Sequence, residues 1–215
     1  MPETQAQKRK RAELIIGVLN KTYPDAHCAL NFSTAWELLV ATILSAQCTD
    51  KRVNLVTPNL FKKFQKISDY AFADLGAIEK LVHSTGFYKN KAKNIQNAAR
   101  LILEKYEGNI PQTMEELIQI PGVGRKTANV VLGNYFDIPG LTVDTHMIRI
   151  NQLLGFSNSE DAVKVEFQLM ELINKGDWIR YTHLVIHHGR ARCIARRPDC
   201  NACEIQPLCP RKGLK

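Results

Sequence analysis

Four cysteines lie within 17 residues near the C-terminal end, Cys193, Cys200, Cys203 and Cys209, in the segment CIARRPDCNACEIQPLC. Thiolates confined to so short a stretch can converge on one small inorganic centre, and sets of this kind hold iron–sulfur clusters or zinc. The spacing leaves both open. The loop between the first two cysteines carries Arg196 and Arg197 side by side. Guanidinium forks match phosphate geometry, so a metal-stapled loop displaying them suits a phosphate-bearing partner. The N-terminus, MPETQAQKRKRAELIIGVLN, has no apolar h-region and no small-residue cleavage site, and does not read as a secretory signal. A reducing compartment is therefore expected, where a cysteine cluster binds metal rather than forming disulfides. Cys28 and Cys48 stand alone and are expected to be small buried hydrophobes.

A second chemistry-bearing stretch is LIQIPGVGRKTA, Leu117 to Ala128. Gly122 and Gly124 flank Val123, which lets the backbone turn tightly and approach another surface closely. A helix starting just after Gly124, at Arg125, would aim its unpaired N–H groups and positive dipole end outward as an anion site, with Val123 packed inward. Lys126 sits in the first turn. An ordinary lysine, with a pKa of about 10.4, is a poor nucleophile at neutral pH. A helix N-terminus and partial burial both disfavour its charged form, and a neutral amine can attack a sugar carbon and form a Schiff base. Taken alone, the residue reads as one more phosphate-binding lysine. Asp144, 18 residues on in LTVDTH, suits a helix N-cap. It also suits a carboxylate beside Lys126 that stabilises developing positive charge and helps proton transfer.

The hairpin string resembles the helix-hairpin-helix of DNA repair glycosylases. The chain is similar to the bacterial endonuclease III family from end to end, through LNFSTAWELLVATILSAQCTD, STGFYKNKAKNI, PGVGRKTANVVL, VDTH and the four-cysteine loop, in that order. The resemblance implies a bifunctional DNA glycosylase and abasic-site lyase of base excision repair. Such an enzyme excises oxidised pyrimidines and cleaves abasic sites by β-elimination. Lys126 would be the Schiff-base nucleophile and Asp144 the essential carboxylate, with a [4Fe–4S] cluster on the four cysteines. Gln47 matches the residue that fills the space left by an extruded base, and Phe87 falls at the wedge position, where many relatives carry leucine. Gly122, Val123, Gly124, Arg125, Arg196 and Arg197 would contact DNA. His187 and His188 read as helix-end or phosphate-contact residues, and His146 as structural. The partner implied is double-stranded DNA carrying oxidised pyrimidines or abasic sites, bound by a monomer in the bacterial cytoplasm, at the nucleoid. An adenine-mismatch glycosylase of the same superfamily would lack the lysine and carry a further domain after the cluster. A non-catalytic DNA-binding iron–sulfur module would not need the Lys126–Asp144 pair.

The elements that must position these residues are helical. The 215-residue chain is 45% hydrophobic and 23% charged, ordinary for a globular protein. Its formal charge is +8, which favours a polyanionic partner. Five of those eight charges fall after residue 189, where seven basic residues from Arg190 to Lys215 face two acidic ones. Lys8, Arg9, Lys10 and Arg11 read as a solvated helix face or frayed terminus. The longest apolar run, Ala35 to Leu44, is too short to span a membrane and reads as a buried helix. Stripes at helical spacing begin at Leu14, Ile15, Val18 and Leu19. They continue at Val53, Val56, Leu60 and Phe64, and at Ile78, Leu81 and Val82. Further helices are expected over Ala92 to Tyr106, Arg125 to Phe136, Asp144 to near Gly155, Val163 to Ile173 and Ile179 to His188. Thr34 with Glu37 and Thr113 with Glu116 have capping-box spacing. Alternating β patterns are missing, so the class is all-α. The resemblance divides it into a helical barrel lobe over 28–138, containing the helix-hairpin-helix at 113–136, and a second lobe of 1–27 with 139–215. The second lobe would hold the cluster loop (193–209), with DNA lying across the cleft between the lobes.

Overall fold

A computed structural model of the chain describes residues 3–213; Lys215, counted above in the basic C-terminal segment, lies outside them. The regular elements among the described residues are all helical. One helix, α1 (Gln5–Thr22), precedes a run of seven: α2 (Ala35–Ser45), α3 (Asp50–Lys63), α4 (Ile67–Ala71), α5 (Leu75–Val82), α6 (Tyr88–Tyr106), α7 (Met114–Leu117) and α8 (Arg125–Tyr135). Three more follow, α9 (Thr145–Leu153), α10 (Ala162–Met170) and α11 (Trp178–Ala191). The chain divides into two compact units. One runs from Cys28 to Ile138, and the other joins the segment ending at His27 to the one beginning at Pro139.

The unit from Cys28 to Ile138 is built around α2. Its sequence AWELLVATILS is apolar nearly all round, so no face prefers solvent, and every residue from Trp36 to Leu44 except Glu37 is buried. Thr34 caps it by accepting from the Glu37 N–H at 3.1 Å. The Glu37 carboxylate reaches past Thr34 to the Ser33 N–H at 2.6 Å, so the expected reciprocal box closes one residue early. At Thr113 the hydroxyl accepts from the Glu116 N–H and donates to the Glu116 carboxylate at 2.7 Å. The core includes Val53, Val56, Leu60, Ile78, Val82, Ile95, Ile102 and Val131. Two elements depart from expectation. Helix α4 has five residues, too few to show a period, and α6 starts at Tyr88 rather than Ala92 because its first turn, YKNK, carries no apolar stripe.

In the other unit α1, α9, α10 and α11 share a second core of Ala12, Ile15, Leu19, Met147, Ile150, Val165, Leu169, Tyr181 and Leu184. The buried face of α1 is Ala12, Ile15, Ile16 and Leu19, at spacings of three and four, which leaves Leu14 exposed. The basic tetrad on α1 is not merely solvated. Arg11 donates to the carbonyls of Leu154 and Leu208 and lies 4.5 Å over the Phe156 ring, while Arg9 donates to the Glu171 carbonyl. These arginines satisfy carbonyls at the C-terminal ends of helical segments. Among the described residues no helix is long and apolar enough to cross a membrane.

Candidate active site and metal centre

In the unit from Cys28 to Ile138 the hairpin joins α7 to α8, and its two glycines do different things. Gly122 has φ +80, and a Cβ there would sit 2.9 Å from the Cβ of Asn94 on α6. The tight turn needs it. Val123 is buried and donates its N–H to the Ile120 carbonyl. Gly124 has ordinary extended backbone, is exposed, and has nothing within 4 Å of where a Cβ would go. The fold therefore tolerates a side chain there, and what the glycine keeps clear is space outside the protein. Gly124 is also the N-cap of α8, and no side chain caps that helix. An uncapped helix start with a clear approach is an anion site. Arg125 is half-buried. Lys126, expected to be partly buried, is exposed, because it points away from the core contacts that Val123 and Ala128 make on either side.

Two further loops of this unit hold strained residues. Gln47, just past α2, has φ +53, and Phe87, the N-cap of α6, has φ +48. Neither is glycine, and such backbone costs about 1–2 kcal/mol each. Both side chains are exposed, Phe87 by 66%. An exposed phenyl ring on a strained N-cap position has no packing reason to be there. Cys28 and Cys48, expected to be buried, are half-buried at the edge of this core, since both lie in loops flanking helices rather than within them.

In the other unit Asp144 caps α9. Its Oδ1 accepts from the Met147 N–H at 2.9 Å, and its Oδ2 lies 3.2 Å from His146 Nδ1. Capping uses one carboxylate oxygen and His146 the other, so the group is held in one orientation. The Asp144 side chain is 15% exposed. The helices α9 and α11 approach closely at Gly189, where a Cβ would come within 2.6 Å of the His146 ring.

The four cysteines of the loop are not disulfide-bonded, and all four line one cavity together with Ile150, Leu153, Leu154 and Ile205. Burial, and then Glu204 and the neighbouring cysteines, push the Cys203 thiol above its ordinary pKa, and burial with Cys193 and Cys200 does the same at Cys209. Four sulfur donors converging on one cavity are what a thiolate-bound metal centre needs, so the donor set fits one. Two polar side chains that the sequence did not suggest face the sulfurs. Arg149 on α9 donates to Cys193 Sγ at 3.4 Å. His188, expected at a helix end or against phosphate, is instead buried, with Nε2 3.6 Å from Cys203 Sγ and Nδ1 3.2 Å from the Tyr23 hydroxyl. Burial pushes the His188 pKa down to about 4, which keeps it neutral at pH 7. His188, Cys203 and Glu204 offer ligand atoms within 4.8 Å of one another. Glu204, however, is taken by Arg192 at 2.8 Å. Arg196 and Arg197 are exposed on the same loop.

Residues 40–175 match the family model described as HhH-GPD superfamily base excision DNA repair protein. The chain is 52% identical to endonuclease III of Synechocystis sp. over 95% of its own length and 94% of that protein's. It is 42% identical to endonuclease III of Bacillus subtilis over 96% and 94%. A solved structure of a trapped endonuclease III–DNA covalent intermediate superimposes with a TM-score of 0.90 at 41% identity, covering 94% of this chain and 96% of that one. A thermostable thymine-DNA glycosylase shares the fold, with a TM-score of 0.81 at 20% identity over 93% and 95%.

Proposed function

Because the chain belongs to the HhH-GPD superfamily of base excision DNA repair proteins, and within it to the endonuclease III family, we propose that Lys126 is its nucleophile and Asp144 its essential carboxylate. The protein is a base excision repair DNA glycosylase and abasic-site lyase, and DNA is its partner. Oxidised pyrimidines are the bases it excises. The Lys126 amine attacks C1′ of the damaged nucleotide and the base leaves with the bonding electron pair and takes up a proton; the C1′–O4′ bond then opens, O4′ taking the proton that the nitrogen gives up, and the sugar is held as a ring-opened Schiff base. Loss of a C2′ proton then breaks the C3′–O bond and cuts the strand. The Asp144 carboxylate stabilises the cationic sugar.

Extruding a nucleotide costs a few kcal/mol, and residues pushed into the gap offset this. Phe87 is the wedge and Gln47 the filler that faces the orphaned base, roles that suit two exposed side chains on strained backbone. Gly122, Val123, Gly124 and Arg125 present the hairpin to a phosphate. Cys193, Cys200, Cys203 and Cys209 would hold a [4Fe–4S] cluster, which braces the loop that offers Arg196 and Arg197 to the DNA backbone. The protein acts as a monomer in the bacterial cytoplasm, at the nucleoid.

The observation that carries this reading is an exposed lysine in the first turn of an uncapped helix, beside a glycine that leaves the approach open. Borohydride added during turnover should reduce the Schiff base and crosslink the protein to abasic DNA. Lys126→Gln keeps most of the length and polarity without the amine. It should bind damaged DNA, form no crosslink and lose excision and strand cleavage. Asp144→Asn should fold, since Asn still caps α9, yet be inactive. A Lys126→Gln protein that still crosslinks would assign the chemistry to another amine. A wild-type protein that binds abasic DNA without cutting it would make the chain a binding module.

A further inference from the structure

Lys91 is 5% exposed, which is unusual for a lysine. It sits in the first turn of α6, and its ammonium lies between two main-chain segments remote from each other in sequence. Nζ donates to the Leu44 carbonyl at 2.9 Å and to the Thr85 carbonyl at 2.7 Å. Leu44 is in the last turn of α2, three residues before Gln47, and Thr85 is two residues before Phe87. The backbone N–H of Lys91 donates to the Phe87 carbonyl at 3.1 Å. One residue thus bonds the chain at the root of both strained loops.

The carbonyls at the end of α2 show what this ammonium supplies. The Thr42 carbonyl accepts from the Ser45 hydroxyl, Ile43 from the Ala46 N–H and Ser45 from the Cys48 N–H. The Leu44 carbonyl instead accepts from α6, from Lys91. A cation at a helix C-terminus is favourable, and here it replaces a local cap. Burial nonetheless disfavours the charge, and a methionine of similar length would fill the space without that cost. The methionine would lack any bond to either loop.

We infer that Lys91 is a positioning residue for base extrusion, tying the Gln47 loop to the Phe87 loop so that filler and wedge enter the DNA gap as one rigid piece. The inference rests on the gap-filling roles proposed above for Gln47 and Phe87, and it is independent of the identity of the nucleophile. Lys91 touches neither DNA nor the reacting sugar, so its removal should spare Schiff-base formation at a sugar that has already lost its base. It should impair the steps that hold a duplex open.

The test uses a duplex with 2-aminopurine opposite a tetrahydrofuran abasic analogue, at saturating protein. Wild-type binding should change the 2-aminopurine emission as the side chains enter, and Gln47→Ala and Phe87→Ala should each diminish that change. Lys91→Met should show less than about half of the wild-type amplitude, because the gap is then only partly occupied. Its excision of an oxidised pyrimidine should fall by about tenfold or more, the order expected for misplacement of under 1 Å. Its borohydride crosslinking to a pre-formed abasic site should stay near wild type. Should Lys91→Met lose its helical circular dichroism, Lys91→Gln, which keeps one amide donor in a polar side chain, enters the same assay and should again fall well below wild type. Full amplitude in either folded variant, with the Gln47 and Phe87 variants impaired, overturns the tie alone. A wild-type signal indifferent to Gln47→Ala and Phe87→Ala overturns the gap assignment and the tie with it. The crosslinking reaction tests Lys126 separately.

Discussion

Placing serine at each glycine of the hairpin should separate folding from DNA contact. At Gly122 the backbone has φ +80, which costs a residue with a Cβ about 1–2 kcal/mol. The new Cβ would also meet the Cβ of Asn94 at 2.9 Å, and α6 must shift to relieve it. Overpacking of that kind adds about 1 kcal/mol or more. The total, about 2–3 kcal/mol, corresponds to a melting temperature lower by roughly 5–10 °C for a chain of this size. At Gly124 nothing lies within 4 Å of the new Cβ and the backbone is extended, so no strain arises. Serine is moreover a good N-cap, and its hydroxyl can take an N–H of the first turn of α8, which has no side-chain cap. Gly124→Ser should melt with or slightly above the wild type. It should nonetheless bind damaged and undamaged duplex alike about tenfold more weakly, a loss of about 1.4 kcal/mol, because the side chain fills the space a phosphate takes. Thermal melts followed by circular dichroism and fluorescence-anisotropy titrations give the two quantities. A Gly124→Ser protein with wild-type affinity would refute the reading of that open space as a phosphate approach. A Gly122→Ser protein with wild-type melting would refute the assignment of strain to the turn.

Changing Arg196 and Arg197 together to alanine should flatten the salt dependence of DNA binding by up to about 2 units of slope, and an unchanged slope would mean that the loop faces solvent in the complex. Purified protein should be yellow-brown and contain iron with inorganic sulfide, whereas a colourless, zinc-loaded and active preparation would overturn the [4Fe–4S] proposal. Cys203→Ser should weaken DNA affinity more than the rate of cleavage once DNA is bound. Burial, reinforced by His187, His27 and Arg180, pushes the His183 pKa from 6.5 down to about 4, so the folded state keeps it neutral. The unfolded chain binds that proton first as pH falls, so this contribution to stability is intact above pH 6.5 and declines towards pH 4 by about 1.4 kcal/mol per unit. Urea melts of His183→Gln should show a shallower acid decline than wild type; an equal decline would place the titration elsewhere.

The helical class, the four-cysteine segment, the hairpin string and the capping role of Asp144 were legible in the residues alone. Each is local: a helical period, a ligand spacing, a turn between two glycines, or a side chain bonding an N–H three residues on. Several features came only from the tertiary structure, because they depend on segments far apart in the chain. Gly122 and Gly124 look alike in PGVG, yet only the position of Asn94 on α6 makes one a packing requirement and leaves the other facing open space. Which apolar residues of α1 are buried was decided by the helices it meets, and that left Leu14 outside. His188 reads as a helix-end histidine until the fold sets it between Tyr23 and Cys203. Lys91 carries no signal in YKNKAKN, where it is one lysine among three. Its burial and its two carbonyl partners exist only once the end of α2 and the turn before α6 are brought together, and long-range pairing of that sort has no period for a sequence to display.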